Sequence, residues 1–362
     1  MKTCKFCNKK FKPHSNRQIY CDEPHIRICP VCNNKYIEKD NWLLQFPPHA
    51  CSYKCRGYLQ SQTKAKKLKK LNKLQQILRD NPEYLDEFKK FNAINNRMII
   101  SKFEKFLKNY DIQYIASTHL SGYEYAFYIK SHNLLVSIAR ISDNQDHNLQ
   151  KVRIAENNGY NCFTIYPWDN LEKIVWQLKP KAEINLDVCS MFKLNKQPAI
   201  EFLNRYHLQN SCRNQLLFWG IVKDNEIIQL MTFGKPRYSK NYSIELMRYC
   251  TKPEISISGG YMNLFYGASS LQYLQNLIGY EQIGRFKDIN YESLQFEYLK
   301  TNPPQVIWSK ENEHVTASLL RARGYDQLFG TSYGKGTSNE QLMLQNGWLP
   351  VFDCGQKVFI HK

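Results

Sequence analysis

Two copies of one residue pattern open this chain: Cys4-Lys-Phe-Cys7 with Cys21-Asp-Glu-Pro-His25, then Cys29-Pro-Val-Cys32 with Cys51-Ser-Tyr-Lys-Cys55. Seven of the 12 cysteines of this 362-residue sequence lie within its first 55 residues. Each copy supplies four thiol or imidazole ligands, the number that completes a tetrahedral zinc site. The pattern therefore predicts two structural zinc modules in tandem, in which no coordination position remains open for catalysis.

The ligand spacing also predicts how each module folds. A Cys-x2-Cys pair suits a tight turn, and a pair spaced four residues apart suits the first turn of a helix, where both residues share a face. Residues 8–20 and 33–50 are long enough for a hairpin between the two pairs of each copy. His14 and His49 compete with His25, but only His25 occupies the position that Cys55 has in the second copy. Redox-active or free thiols are the alternative to metal ligands.

The positive charge is concentrated near the N-terminus. The formal net charge is +18, and residues 1–110 carry 24 Lys+Arg against 9 Asp+Glu. Such a charge favours a polyanionic partner, because neutralised phosphates release their counterions; the alternative is a basic surface that only aids solubility. No apolar run has the length of a membrane span, and no apolar segment typical of a signal peptide follows Met1. We therefore expect an intracellular protein whose clustered cysteines bind metal rather than form disulfides.

A basic connector follows the cysteine-rich region. Leu68, Leu71, Leu74 and Leu78 recur at helical spacing, and Pro82 is expected to end the helix. The lysines between these leucines predict a helix that lies along a phosphate backbone and makes contacts independent of base sequence. The alternative is a solvated linker helix with one packed stripe. The candidate DNA-binding residues are Lys64, Lys66, Lys67, Lys69, Lys70 and Lys73.

Residues 95–180 predict a small α/β domain in the order helix, hairpin, helix, strand, helix. The runs that carry this order are Tyr125-Ala-Phe-Tyr-Ile, Leu135-Val-Ser-Ile-Ala, Asp146-His147 and Thr164-Ile-Tyr-Pro-Trp-Asp. The order resembles the Vsr-like and EDxHD-type nuclease domain of phage homing endonucleases. That resemblance implies cleavage of double-stranded DNA by phosphodiester hydrolysis with Mg²⁺, which carboxylates would hold.

The carboxylates of that family are not at their expected positions. Ala126 and Ser137 stand where the resemblance places an acidic metal ligand on each of the first two strands. The acidic and imidazole side chains that remain nearby become the catalytic candidates, and Asp143 is a further carboxylate of the same stretch. A domain that binds DNA without cleaving it is therefore the alternative. The candidates are Glu104, Glu124, Asp146 and His147.

Residues 181–362 predict a second α/β domain. A hairpin is expected around Asp224-Asn225, a strand over residues 243–250, and a helix that starts after Gly259-Gly260. The runs His207-Leu-Gln, Leu230-Met-Thr-Phe-Gly-Lys-Pro-Arg, Glu245-Leu-Met-Arg-Tyr-Cys and Ser258-Gly-Gly resemble the C-terminal domain of phage homing endonucleases. The same outline resembles the N-acetyltransferase-like fold of Mom-type DNA modification proteins. That resemblance implies that Gly259 and Gly260 face a pyrophosphate of acetyl-CoA; the alternative is a tight strand-to-helix turn.

The sequence therefore predicts a multi-domain α/β protein. The expected parts are tandem zinc modules (1–56), a basic helical linker (57–94), a nuclease-like domain (95–180) and an acetyltransferase-like domain (181–362). We expect a phage-type protein related to homing endonucleases, with two Zn²⁺ ions, with Mg²⁺ if the nuclease is active, and with double-stranded DNA as partner. A degenerate DNA-binding protein and a Mom-like base-modifying transferase are the alternatives. No obligate protein partner is evident, and the cytoplasm of an infected bacterium is the expected location.

Overall fold

The structure, a computed structural model, divides into two compact units, Met1–Arg79 and Asp80–Lys362. It combines helices with several β-sheets, which confirms the predicted multi-domain α/β class. None of the helices in the described part combines the length and the apolar character needed to span a bilayer. The residues described are 1–15, 18–29, 32, 34–38, 51–52, 55, 73–142, 144–239, 241–271, 274, 276–311, 313–316, 320 and 338–362.

The first unit is built on two short β-hairpins. Strands β1 (Lys2–Thr3) and β2 (Lys10–Phe11) form the first, and β3 (His25–Ile28) and β4 (Lys35–Glu38) form the second. Each Cys-x2-Cys pair lies in the turn of one hairpin. The two turns repeat one hydrogen bond: the Cys4 N–H donates to Lys9 O at 2.8 Å, and the Cys29 N–H donates to Asn34 O at 2.9 Å. The repeat seen in the sequence is therefore also a repeat of backbone structure.

The predicted linker helix is described only at its C-terminal end. Helix α1 (Lys73–Asp80) buries Leu74 and Leu78, two members of the predicted leucine stripe. The helix ends before Pro82, as expected, and the next helix begins at Glu83. Lys73 belongs to α1, whereas Lys64, Lys66, Lys67, Lys69 and Lys70 lie outside the described residues.

The second unit begins with a four-stranded sheet and three helices. The strand order is β5-β6-β7-β8, with β8 parallel to β7 and the other neighbours antiparallel. The expected helices and strands are confirmed; β5 was not predicted. The elements are α2 (Glu83–Asn109), β5 (Ile115–Leu120), β6 (Tyr123–Ile129), β7 (Leu134–Ile138), α3 (His147–Asn157), β8 (Asn161–Ile165) and α4 (Leu171–Gln177).

A seven-stranded sheet forms the larger part of this unit. Its order is β10-β11-β12-β13-β15-β20-β16, and β13 and β15 are its one parallel pair among the described strands. Asp224 and Asn225, both at positive φ, turn the β11–β12 hairpin as predicted. The elements up to the helix after β14 are β9 (Ala182–Glu183), β10 (Ser190–Lys193), α5 (Lys196–Tyr206), β11 (Gln215–Lys223), β12 (Glu226–Gly234), β13 (Ile244–Thr251), β14 (Ile255–Ser256) and α6 (Gly260–Leu271).

The remaining elements complete this sheet and add a smaller one. Strands β17, β18 and β19 form a separate antiparallel sheet in the order β18-β17-β19. Ser338 caps the last helix, because its Oγ accepts a hydrogen bond from the Gln341 N–H at 3.2 Å. The elements are β15 (Leu277–Gln282), β16 (Glu297–Asn302), β17 (Val306–Lys310), β18 (Glu313–Thr316), α7 (Asn339–Gln345), β19 (Leu349–Phe352) and β20 (Gln356–His361).

The segment after β15 closes the free edge of the four-stranded sheet. The Thr164 N–H on β8 donates to Gly284 O at 2.9 Å. Arg285 then donates twice to the Asp169 carboxylate, at 2.7 and 2.9 Å, and once to Thr164 O at 3.1 Å. An uncovered edge strand would present unpaired backbone groups, so these contacts satisfy β8 and join the two sheets. The predicted boundary between residues 95–180 and 181–362 falls inside this unit and stays a prediction.

The Arg285–Asp169 pair should be a large contributor to the stability of the second unit. Both side chains are almost fully buried, with 10% and 6% exposed. We expect Arg285→Met to lower the free energy of unfolding by about 3–5 kcal/mol, because Asp169 would keep a buried charge without a partner. Urea unfolding of the full chain measures this. Arg153→Met, at an exposed position on α3, is the matched control and should cost no more than about 0.5 kcal/mol; equal losses in both variants would contradict the assignment.

Candidate functional site

The first predicted ligand set converges on one point. The Sγ and Nε2 atoms of Cys4, Cys7, Cys21 and His25 lie within 4.8 Å of one another. His25 Nε2 is 3.3 Å from Cys4 Sγ and 3.4 Å from Cys21 Sγ. Sulfur atoms bound to one zinc ion at about 2.3 Å in a tetrahedron would be about 3.8 Å apart, so these spacings suit one small metal ion.

The second predicted set converges in the same way. Cys29, Cys32, Cys51 and Cys55 also place their Sγ atoms within 4.8 Å of one another. Cys51 Sγ is 3.5 Å from Cys32 Sγ and 3.8 Å from Cys55 Sγ. Both clusters can therefore hold a metal ion, as predicted. His14, one of the competing histidines, instead lies 3.0 Å from the Asp22 carboxylate, and His49 is outside the described residues.

Backbone donors stabilise an ionised sulfur in the first cluster. Burial opposes ionisation of Cys4, but hydrogen bonds from the backbone of Cys7, Cys21 and Phe6 lower the pKa of its thiol to about 6. Burial raises the pKa of Cys21 to about 11, and the neighbouring thiols add to that effect. Metal coordination requires deprotonated thiols, so the donors around Cys4 favour coordination, whereas Cys21 would release a proton when a metal binds.

The local fold of these modules differs from the expectation in two respects. His25 is the first residue of strand β3 rather than part of a helical turn, and Cys29 follows the end of the same strand. In the described part of the chain, the strands form hairpins that carry a Cys-x2-Cys pair at their turns, an arrangement that was not predicted. The physical reason is that β3 is shared: it presents one ligand to each cluster. Cys55 alone retains the expected helical backbone conformation.

Two nuclease candidates are engaged in other contacts. Glu104 lies on α2, where its carboxylate accepts a hydrogen bond from Tyr114 Oη at 2.6 Å and pairs with Lys108 at 3.0 Å. The hydrogen bond from Tyr114 and the charge of Lys108 lower the pKa of Glu104. Glu124 is exposed on β6, and its carboxylate accepts a hydrogen bond from Ser117 Oγ at 3.1 Å. Within the described residues, neither carboxylate belongs to a group that can hold a metal ion.

The other two candidates lie at the start of α3. Asp146 is exposed at the N-cap position, and its side chain accepts no capping hydrogen bond. His147 packs near Tyr123, with ring centroids 6.1 Å apart. Burial lowers the pKa of His147, and the charges of Lys151 and Arg140 add to that effect. Across the described residues, the two cysteine-containing clusters are the groups of three or more His, Cys, Asp or Glu that can hold a metal, and Asp143 lies outside those residues.

Ser137 stands where the resemblance places the carboxylate of the second strand, and this position is closed to solvent. Ser137 on β7 is 0% exposed, its Oγ has no hydrogen-bond partner, and it pairs in register with Thr164. Thr164 is also 0% exposed and lies under Gly284. A metal-bound water and a DNA phosphate could not reach this position without opening the contact between the two sheets.

A cleft forms in the seven-stranded sheet where its parallel strands separate. β13 and β15 are paired only from Ile244–Leu277 to Leu246–Gly279. Beyond that point they diverge around a cleft with about 920 Å³ of empty space, part of it open to solvent. The lining comes from the ends of both strands, from residues 206–209 after α5, and from residues 285–289 after β15.

His207 and Arg248 are two polar groups that line this cleft. Burial and the charges of Arg248 and Lys173 hold the pKa of His207 well below its usual value. Its Nδ1 accepts a hydrogen bond from the Gln209 N–H at 3.0 Å, so the neutral ring carries its proton on Nε2. Arg248 donates to Asn210 O and Met247 O, and it has no ion pair with any carboxylate in the described part of the chain. His207 and Arg248 appeared in the runs that carried a resemblance, yet their role as cleft lining was missed, because strand separation leaves no local sequence signal.

The glycine pair before α6 has a packing function. Gly259 has a φ of 67°, which favours glycine. A Cβ on Gly260 would lie 2.2 Å from Gln229 Oε1, so only glycine permits the approach of α6 to β12. This contact explains why glycine is needed at position 260, as the alternative interpretation of a tight strand-to-helix turn predicts. Contact of Gly259 and Gly260 with a pyrophosphate stays a prediction.

Comparison with known proteins gives limited information. No family model and no curated protein matches the sequence. The ribosomal-protein-S18-alanine N-acetyltransferase from Escherichia coli is 14% identical, with a TM-score of 0.25 over 32% of this chain and 81% of that one. A putative streptothricin acetyltransferase from Bacillus anthracis str. Ames, in complex with acetyl coenzyme A, is 14% identical, with a TM-score of 0.22 over 44% and 68%. These values are too low to assign the chain to a family.

The two cysteine clusters should bind metal independently of each other. We expect purified protein to carry two metal ions per chain, and Cys32→Ser to reduce this to one, because the first cluster keeps all four ligands. Inductively coupled plasma mass spectrometry after gel filtration measures the stoichiometry. Cys189→Ser is the matched control, since Cys189 lies outside both clusters. Unchanged metal content in Cys32→Ser, or an equal loss in Cys189→Ser, would count against the assignment.

Proposed function

We propose that this protein binds double-stranded DNA through two zinc-held modules and the basic segment that follows them, without cleaving it. The observation that carries the proposal is the convergence of all eight predicted ligands in two clusters at the head of the cationic region. Zinc suits these sites better than Mg²⁺, because thiolate and imidazole are the ligands of zinc and Mg²⁺ requires oxygen.

The metal would have a structural role in this function. The hairpins of the first unit are two to four residues per strand, too small to form a hydrophobic core of their own. Two metal ions would fix the hairpins and so set the geometry of a cationic surface. Residues 1–110 carry most of the positive charge, which supports a phosphate partner rather than a neutral one.

The salt dependence of DNA binding should report how many lysines of the connector contact phosphates. Replacement of the six connector lysines by Gln should lower the slope of log affinity against log salt concentration by about five, because each neutralised phosphate contributes about 0.9. Fluorescence anisotropy with a short labelled duplex measures the slope. The variant replaces Lys64, Lys66, Lys67, Lys69, Lys70 and Lys73 together.

The matched control removes the same charge elsewhere. Six exposed lysines of the second unit are replaced by Gln, and the slope should change by less than one. If both variants lower the slope equally, DNA binding is a property of the net charge and the connector has no special role. The control lysines are Lys193, Lys196, Lys235, Lys300, Lys310 and Lys362.

The same preparation tests the absence of cleavage. Plasmid DNA incubated with Mg²⁺ or Mn²⁺ at low salt should remain intact, because the candidate carboxylates are separate and Ser137 is buried. Cutting that disappears in Asp146→Ala or His147→Ala would overturn the binding-only proposal and restore a nuclease. The relation to phage homing endonucleases stays a prediction in either case.

A second candidate function belongs to the cleft of the seven-stranded sheet. We propose that the cleft binds an acyl-CoA-type ligand, because the separated ends of β13 and β15 leave room for an extended arm. Arg248 supports an anionic ligand, since it lines the cleft and lacks a carboxylate partner among the described residues. No transfer step follows from this geometry alone.

Acetyl-CoA should therefore stabilise the full chain against heat. A ligand present at about 100 times its Kd adds about 2.7 kcal/mol of stability, which is readily measured as a rise in Tm. Arg248→Met should reduce the rise, because the anionic ligand would lose its cation. Arg205→Met, at an exposed position on α5 away from the cleft, is the matched control. Equal stabilisation of both variants would show that Arg248 is not part of the site. If acetyl-CoA does not stabilise the parent protein, the proposed ligand is wrong.

A further inference from the structure

The 27-residue helix α2 has two faces of different chemistry. One face packs into the core of the second unit, against Phe127, Phe163 and Ile165. The opposite face is exposed along its length, so it remains available to a partner. The buried residues recur every three or four positions, as one face of a helix requires; they are Phe88, Asn92, Asn95, Ile99, Phe103 and Leu107.

The middle of the exposed face is apolar. Ile94 is 69% exposed and Met98 is 44% exposed. The two residues are one helical turn apart, so their side chains are neighbours on that face. Polar residues normally occupy the solvent face of an amphipathic helix, so an apolar pair at this position indicates a surface that a partner covers.

Four exposed cations surround the apolar pair. Within the described residues, none of these four forms a salt bridge. Two neighbouring lysines differ in this respect, because Lys89 pairs with Asp86 at 2.9 Å and Lys108 pairs with Glu104 at 3.0 Å. The charge around the apolar pair is therefore available to an anionic partner. The four cations, which together with Ile94 and Met98 we call the α2 face, are Lys90, Arg97, Lys102 and Lys105.

The helix dipole explains the charges at the ends of α2 but not those in its middle. Acidic Glu83 and Asp86 lie in the first turn, and basic Lys108 lies in the last turn, which is the arrangement that the dipole favours. That effect falls off within the terminal turns. Arg97 is more than two turns from either end of the helix. The cations in the middle of the helix therefore need a separate explanation.

Double-stranded DNA matches the α2 face better than a second copy of the chain does. Two such faces would repel each other through their unpaired cations, whereas DNA supplies phosphates. The major groove also admits a helix and exposes thymine methyl groups, which are apolar. Chain continuity supports the same partner: α2 begins at Glu83, directly after α1, which carries the candidate DNA-binding residue Lys73.

From this arrangement we infer that α2 lies in the major groove of double-stranded DNA. Ile94 and Met98 would contact thymine methyl groups, and the four cations would contact phosphates on both sides of the groove. The α2 face extends over about 22 Å from Lys90 to Lys105, since each residue of a helix adds about 1.5 Å. The inference rests on the proposed DNA binding and adds contact with base edges to the phosphate contacts of the connector.

The first test compares two duplexes that differ only in methyl groups. One duplex alternates adenine with thymine, and the other has uracil in place of thymine. Fluorescence anisotropy with the full chain should show binding to the uracil duplex that is weaker by about 4-fold for each methyl group that α2 contacts. Ile94→Ala should reduce this preference, because the variant removes apolar contact without adding charge.

A charged variant of the same residue tests the position of the surface. Ile94→Asp should weaken binding to the thymine duplex at least about 10-fold, because it combines lost apolar contact with repulsion from phosphates. Ile115→Asp is the matched control, since Ile115 is 57% exposed on β5. The control should change the affinity by less than about 2-fold and keep the preference for thymine, as surface substitutions away from an interface do.

A second pair of variants tests the cations. Arg97→Gln should lower the slope of log affinity against log salt concentration by about 0.9, the effect of one phosphate contact. Arg153→Gln, at an exposed position on α3, is the matched control and should leave the slope unchanged. Equal effects of the two variants would overturn the assignment of Arg97 to the DNA surface.

Each remaining outcome decides the inference. Equal affinity of the parent protein for both duplexes, or full binding by Ile94→Asp, would overturn the groove contact and leave the proposed DNA binding intact. Absence of binding to either duplex would overturn both. Phosphatidylserine vesicles provide the last comparison. If Ile94→Asp weakens binding to these vesicles more than binding to the thymine duplex, the α2 face belongs to a lipid surface and the inference is wrong.

Discussion

The buried pair between Arg285 and Asp169 holds the second unit together. Arg285 makes two hydrogen bonds to the carboxylate and one to Thr164 O, and its guanidinium lies 4.4 Å from the centre of the Tyr166 ring. A buried charge is stable only when it is paired and its donors are satisfied. The Arg285 guanidinium meets both conditions for most of its donors. The chain after Arg285 then lines the cleft, so the position of residues 286–289 depends on the ion pair that precedes them.

The first unit depends on a different constraint, the number of ligands at each sulfur cluster. Ile26, Ile28 and Ile37 of its hairpins are more than half exposed, which shows how little apolar surface the unit buries. Metal coordination can stabilise a module of this size, and the spacing of four ligands in each copy is the sequence pattern that such coordination requires. For this reason the sequence predicted all eight ligands, although His25 lies on strand β3 and not in the helical turn that was expected. Ligand identity follows from chemistry, whereas the hairpin position follows from β3 serving both clusters.

Local periodicity explains what else could be predicted in the second unit. The β11–β12 hairpin follows from the Asp224-Asn225 turn, and the end of α3 follows from Gly159, which has a φ of 81°. Strand β5 was missed because all six of its residues are exposed or only partly buried, so it has no clear inward face for a pattern to mark. The cleft was missed for another reason. It unites His207, Arg248 and Asp288 from distant parts of the chain, and no spacing rule connects such residues.

One segment links the closed nuclease position to the open cleft. Gly284 O accepts the Thr164 N–H, and a Cβ on Gly284 would lie 3.1 Å from Thr164 Oγ1 and 3.3 Å from Cys354 Sγ. The segment therefore lies directly against the strand that pairs with Ser137, where a metal-dependent nuclease would need water and a phosphate. The next residues, 285–289, form a wall of the cleft. Opening the position of Ser137 would therefore require moving that wall, so access to the four-stranded sheet and the shape of the cleft depend on one segment.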